Sequence, residues 1–331
     1  MSDFQKLPPS SELISSLAQD YRACRLCPRH CGVNRLAGER GACGMTSQLK
    51  VARASLHMWE EPALVGRQGS GTIFFSGCNL ACVYCQNQPI SQGGVGQELS
   101  LLDLVEVMLK LQALGAANLN LVTGVHYIPH LRAALSLAKG RGLTIPVVYN
   151  SSAYEDPAAL RSLEGLIDIY LPDLRYWREE SGRRYSGIPS YPTHARAAIQ
   201  EMFRQVGPCR FQPPEDNGEA EGEEELLAQG LICRQLLLPG LLDEAQQITH
   251  YLYTHYGDQI YLSLMSQYTP LPGLEAYPEL QTCVDPQVYE AWLDYAEDLG
   301  VKNAYVQEGS AASESFIPDF YHWNLSSFLD A

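Results

Sequence analysis

Residues 72–87 read TIFFSGCNLACVYCQN, a short apolar run that passes directly into a loop carrying Cys78, Cys82 and Cys85. Such a run, bounded by glycine, is the pattern of a strand buried on both faces. The cysteine spacing lets one short loop wrap three thiolates around a compact metal centre, and thiolates favour zinc, copper(I) or iron–sulfur clusters. A closed structural zinc, or a cluster held by cysteine alone, needs four ligands. Three ligands from one loop at a strand end leave a coordination position open, and an open position is where chemistry happens. The bland alternatives are part of a zinc site, or buried thiols.

Outward from this loop the same kind of apolar run recurs: NLNLVTG (118–124), TIPVVYN (144–150), DIYLP (168–172), LICRQLLLP (231–239), QIYLSLM (259–265) and NAYVQ (303–307). Helical patterns fall between them. The clearest is 101–115, which places Leu101, Val105, Met108, Leu109 and Leu111 largely on one face before Gly115. Further helices are predicted over 128–139, 157–164, 193–206, 241–255 and 286–299. Strand and helix in repeated alternation imply a parallel sheet with right-handed crossovers. A doubly wound sheet and a complete or partial barrel both fit, and in either case functional groups gather at the carboxyl ends of the strands.

The remaining chain sets limits. Of the 331 residues 46% are hydrophobic, enough for a sizeable core. Lys and Arg number 23 against 38 Asp and Glu, a net charge of −15 that argues against nucleic acid as a partner. Seven of the acids stand in the run from Glu215 to Glu225, which reads as a solvated loop. No apolar stretch approaches the ~20 residues of a membrane helix, and the first residues lack a signal-peptide layout. A soluble, cytoplasmic protein without membrane contact is expected. The ten cysteines are clustered, which in a reducing compartment points to metal or redox chemistry. Cys24, Cys27, Cys31 and Cys43 lie in a glycine- and arginine-rich stretch with few apolar runs, which needs a staple to hold a shape. Four thiolates close either a tetrahedral zinc site or a second cluster. Cys209, Cys233 and Cys283 are isolated and read as bystanders. The expected organisation is a helical lead-in and four-cysteine module over 1–70, an α/β domain over 71–310 and a tail over 311–331.

The CxxxCxxC loop after the first strand of a βα domain resembles the signature of the radical S-adenosylmethionine (SAM) superfamily. The continuation Gly77-Cys78-Asn79 … Tyr84-Cys85-Gln86-Asn87 is similar to a branch of uncharacterised proteins related to pyruvate formate-lyase activating enzymes. The likeness extends over NLVTGVHYIP (120–129), PVVYNSSAYE (146–155), DIYLPDLRY (168–176), EMFRQVG (201–207), RQLLLPG (234–240) and MSQYTPLP (265–272). It implies a partial (βα)6-type barrel in which Cys78, Cys82 and Cys85 hold a [4Fe-4S] cluster whose fourth iron is chelated by SAM. Reductive cleavage of SAM then yields a 5′-deoxyadenosyl radical that abstracts a hydrogen atom, in activases from a glycine of a partner protein. No general base or nucleophile is needed for that step. Modification of a peptide or a small metabolite is the alternative enzyme, and a non-catalytic iron–sulfur or zinc binding protein is the alternative outside enzymes.

The resemblance extends to individual residues. Where the family carries a Gly-Gly-Glu-like segment, this chain has Val122-Thr123-Gly124-Val125-His126, so the carboxylate is missing and the Thr123 hydroxyl or nearby carbonyls remain to meet the SAM ammonium. Asn150 or Asp173 is implied at the ribose, and Arg234 at the SAM carboxylate. His126 and His130 sit four apart, a spacing that suits metal on a helix, although a place in the substrate pocket is also open to His126. Arg22, Arg25, Arg29, Arg35, Arg40, Lys50 and Arg53 form a locally basic segment against only Asp20 and Glu39. Such a patch suits an acidic electron donor such as flavodoxin or ferredoxin.

Overall fold

A computed structural model describes residues 18–212, 225–307 and 318–330. The first part of the amino-terminal lead-in, the acidic run up to Glu224 and residues 311–317 of the tail lie outside the described residues. In chain order the strands are β1 (Lys50–His57), β2 (Ser70–Phe75), β3 (Gln97–Glu98), β4 (Leu119–Val122), β5 (Val147–Ser151), β6 (Ile169–Pro172), β7 (Arg210–Phe211), β8 (Leu227–Leu236), β9 (Tyr261–Met265) and β10 (Ala304–Val306). They form one sheet in the order β10-β9-β8-β6-β5-β4-β2-β1-β3, with β7 paired to β8.

From β2 to β10 every neighbour along that path is parallel. The sheet stays open, with β10 at one edge and β3 at the other. The architecture is therefore an α/β partial barrel. The seven apolar runs read from the sequence all become parallel strands, most of them well buried, with the edge strand β10 the exception. Every residue of β2, β5 and β6 is buried.

Among the elements outside the sequence reading, two matter most. β1 pairs antiparallel with β2, although its segment is expected outside the α/β domain. The helix Glu179–Ser186 has a strongly polar sequence, and only Ser181, Gly182, Tyr185 and Ser186 are buried. The predicted helices are present, with Leu101–Ala113 as the clearest case. Ser100 accepts from Asp103 N–H while the Asp103 carboxylate accepts from Ser100 N–H, a closed capping box. Its buried set is Leu104, Val105, Val107, Met108 and Leu111, while Leu101 and Leu109 are only half-buried. The face is turned because the helix packs on the sheet and on the helix Ile128–Gly140 together.

No described helix is long and apolar enough to cross a membrane. Parallel register brings the strand ends level, with Phe74 opposite Val122 and Val122 opposite Asn150. Asp173, just beyond β6, bridges to Arg234 on β8.

Candidate functional site

The chain leaves β2 through Gly77, whose φ is +89°. A Cβ there would overlap Met45 Cγ and lie 2.9 Å from the Cys43 carbonyl oxygen. Only glycine lets the strand end pass beneath the amino-terminal segment. At the end of β4, Thr123 takes φ +59° while its N–H bonds to the Asn150 carbonyl at 2.9 Å. A β-branched residue in the left-handed region is strained by roughly 1–2 kcal/mol, and such strain collects at functional sites.

These ends surround a cavity of about 340 Å3 lined by Cys78, Cys82, Cys85, Thr123, Asn150, Asp173 and Arg234. All the SAM and cluster residues expected from the sequence therefore face one space. Leu80 N–H points at Cys78 Sγ (3.4 Å), Cys82 Sγ is 2.9 Å from Ser186 Oγ, and Cys85 Sγ is 3.3 Å from Ser91 Oγ. Burial pushes the Cys78 pKa up to about 12 and raises that of Cys82, so a metal bound here must displace protons.

Beside the thiols runs a chain of charges. Arg175 Nη2 donates to Asp173 Oδ2 (2.5 Å), and Arg234 Nε donates to Asp173 Oδ1 (2.8 Å). Arg234 Nη2 also donates to Asn150 Oδ1 (2.6 Å), and Nη1 lies 3.5 Å from Glu60 Oε2. Arg234 is thus enclosed by acceptors of the protein itself, which leaves it poorly placed for the SAM carboxylate. Arg175 is the cation turned to the thiols: Nη1 is 3.9 Å from Cys82 Sγ, and its buried Nε has no partner. Burial pushes the Glu60 carboxyl up to about 7, against the pull of Arg234.

Arg175 and Glu60 were missed in the sequence. Arg175 carried a signal, standing two residues after Asp173 at a strand end. Glu60 carried none, since its segment reads as loop. Gln267 lines the cavity, whereas Tyr268 turns into the core and donates to the Leu280 carbonyl.

His126 and His130 do not act as a pair. His126 is buried and its Nε2 lies 2.7 Å from the Ser76 carbonyl, while His130 Nδ1 meets the Tyr21 hydroxyl at 2.7 Å. Neither lines the 340 Å3 cavity. The basic segment also loses a member, because Arg35 is 1% exposed.

The amino-terminal cysteines gather elsewhere. Cys24, Cys27, Cys31 and Cys43 line a second, much smaller cavity together with Arg35 and His126. Among the described residues no three His, Cys, Asp or Glu side chains already converge on a point that suits a single metal ion. The donors of either cysteine set must therefore draw in around whatever they bind.

The model of the radical SAM superfamily matches residues 72–208, from β2 to the segment before β7. That segment is therefore similar to the radical SAM superfamily. An uncharacterized protein of Methanocaldococcus jannaschii is 28% identical over 292 residues, 86% of this chain and 77% of its own. Among solved structures, a domain of pyruvate-formate lyase-activating enzyme from Bacteroides vulgatus is similar over 55% of this chain and 92% of that chain (TM-score 0.36, 12% identity). Streptococcus suis SuiB bound to its precursor peptide SuiA is similar over 76% of this chain and 51% of that chain (TM-score 0.46, 10% identity). A radical SAM domain implies a [4Fe-4S] cluster, SAM and redox chemistry, and three thiols on one loop are the donor set that such a cluster requires.

Proposed function

We propose that the protein is a radical SAM enzyme whose cluster is held by Cys78, Cys82 and Cys85, and that it abstracts a hydrogen atom from a separate substrate. The observation that carries the reading is the single cavity shared by those thiols with Thr123, Asn150, Asp173 and Arg175. When bound there, the cluster and SAM together supply one-electron cleavage of a carbon–sulfur bond and a 5′-deoxyadenosyl radical.

The chain's own residues have four tasks. The three thiols, once deprotonated, would hold the cluster, three donors for a group that takes a fourth from elsewhere. Thr123, held in its left-handed turn at the cavity wall, would offer its hydroxyl to the cofactor's ammonium. Asn150 and Asp173 retain lone pairs beyond those used by Arg234 and Arg175, enough to accept ribose hydroxyls. Arg175 offers its unpartnered Nε to the cofactor carboxylate, the role first expected of Arg234. The strand ends and the loop 78–87 keep water from the reacting centre.

Activase-like hydrogen abstraction from a glycine of a partner protein is the activity the resemblance favours. Reduction then comes from a flavodoxin or ferredoxin drawn to the exposed arginines Arg22, Arg25 and Arg40. The amino-terminal thiols hold a second metal, zinc or an iron–sulfur cluster. One experiment tests the core of this reading. Anaerobically reconstituted, reduced protein given SAM alone should form 5′-deoxyadenosine and methionine slowly, and the Cys78/Cys82/Cys85 triple alanine variant should form none. Cluster-replete protein that binds SAM and yields no 5′-deoxyadenosine, with or without cell extract as substrate source, overturns the enzyme reading.

A further inference from the structure

The small cavity lined by the four amino-terminal cysteines has two further walls that thiol chemistry alone does not explain. Arg35 is buried to 1%, and among the described residues no carboxylate lies within ion-pair distance of it. Its guanidinium donates to the Thr46 carbonyl from Nε (3.2 Å) and Nη2 (2.6 Å) and to the His126 carbonyl from Nη1 (2.5 Å). Nη1 lies 3.9 Å from Cys24 Sγ. Neutral acceptors satisfy its hydrogens but leave its charge uncompensated, which is costly at this depth.

The other wall is His126, 3% exposed. The Ser76 carbonyl only accepts, so the ring proton in that bond sits on Nε2. Nδ1 is buried and has no partner. An imidazole whose one nitrogen is fixed by a backbone carbonyl, with the other free, is the arrangement of a metal-ligating histidine.

We infer that a divalent ion such as zinc is held here by Cys24, Cys27, Cys43 and His126 Nδ1. This rests on the proposed second metal site and refines its ligands. A tetrahedral site takes four donors, and six lining residues carry one; of these His30 is already tied through Nε2 to Asp156 at 2.9 Å. Cys31 is the exposed cysteine of the set, whereas Cys24 is buried and Cys27 and Cys43 are half-buried. A divalent ion with three thiolates carries one net negative charge, the amount a single guanidinium neutralises, so Arg35 gains its missing counter-charge. His126 then ties the ion through Ser76 to Gly77 and Cys78, the start of the cluster loop.

The test uses the full chain with Cys78, Cys82 and Cys85 changed to alanine, prepared metal-free and titrated with Co2+. Thiolate-to-cobalt charge transfer near the ultraviolet and tetrahedral d–d bands in the visible are expected. His126→Gln places an amide N–H near the Nε2 position but offers no nitrogen in place of Nδ1. It should weaken Co2+ binding roughly tenfold or more and shift the d–d bands, whereas Cys31→Ala should leave affinity within about threefold. Circular dichroism shows whether His126→Gln folds, and the Cys31→Ala arm decides the ligand set if it does not. Identical spectra and affinities with and without His126, or loss of the bands in Cys31→Ala, overturn the ligand assignment. Absence of any thiolate–cobalt band in the starting protein overturns instead the second metal site on which it rests.

Discussion

The two cysteine regions solve the same problem in opposite ways. Cys78, Cys82 and Cys85 hang from β2, a strand with every residue buried. Their loop is further held by Val83 N–H to the Tyr185 carbonyl and Ala81 N–H to the Ser186 carbonyl. Cys24 to Cys43 have almost no core of their own: Tyr21, Cys24 and Leu26 form a small cluster with Val33 packed against it. One region is shaped by the fold and offers its thiols to a cofactor. The other leans on its neighbours and needs its thiols to complete it. On the proposed reading a metal in the first would supply chemistry, whereas a metal in the second would supply structure.

The most severe break of this contrast is Cys82→Ala set against Cys27→Ala. The first should abolish 5′-deoxyadenosine formation while leaving the melting temperature nearly unchanged. The second should lower the melting temperature while cluster content at the first loop persists, with both read by calorimetry and iron analysis. Equal thermal losses would erase the distinction.

Asp173→Ala sharpens the fold-shaped side. It strips Arg175 and Arg234 of a shared counter-ion, and removing one partner from a buried ionic group costs on the order of 3 kcal/mol. Denaturant unfolding should show that loss, together with weakened SAM binding.

Gly77→Ala attacks the seam where the regions touch. A methyl group there meets Met45 and the Cys43 carbonyl at a left-handed φ, so about 2–3 kcal/mol should be lost. A variant as stable as the parent would mean that the amino-terminal segment does not press on the cluster loop.

Glu155 stands near the same seam, since its neighbour Tyr154 accepts from Asn79 of the loop (2.7 Å). Burial pushes its carboxyl up to about 7, partly offset by the Ser151 hydroxyl at 2.5 Å. A carboxyl whose folded pKa exceeds its unfolded value favours the fold only while protonated. Its penalty is therefore absent below about pH 4.5 and complete above about pH 7. Glu155→Gln should flatten that decline and gain on the order of 2 kcal/mol at pH 8, measured as stability against pH.

The smallest expected effect is at the ribose. Asn150→Ala should raise the SAM dissociation constant about fivefold, the worth of one hydrogen bond of ~1 kcal/mol, with cluster content unchanged. Titration of SAM against the cluster's electron paramagnetic resonance signal reads it.

The sequence by itself determined the parallel sheet, the cluster loop and the strand-end residues. Strands buried on both faces leave unbroken apolar runs such as 72–75, and the ends of parallel strands are where a chain can place Cys78, Asn150 and Asp173 side by side. These are local consequences of burial and spacing. Tertiary structure alone decided where charge goes. Arg35 reads as one more surface base, yet it is walled in by Tyr21, Tyr127 and two carbonyls. Arg234 reads as a free cation, yet Asp173 and Asn150 already occupy it. His126 reads as half of a helical pair, yet it turns to Ser76 instead. No local pattern reveals such outcomes, because a buried charge or a bare imidazole nitrogen is defined by residues tens of positions away that only the packed sheet brings within reach.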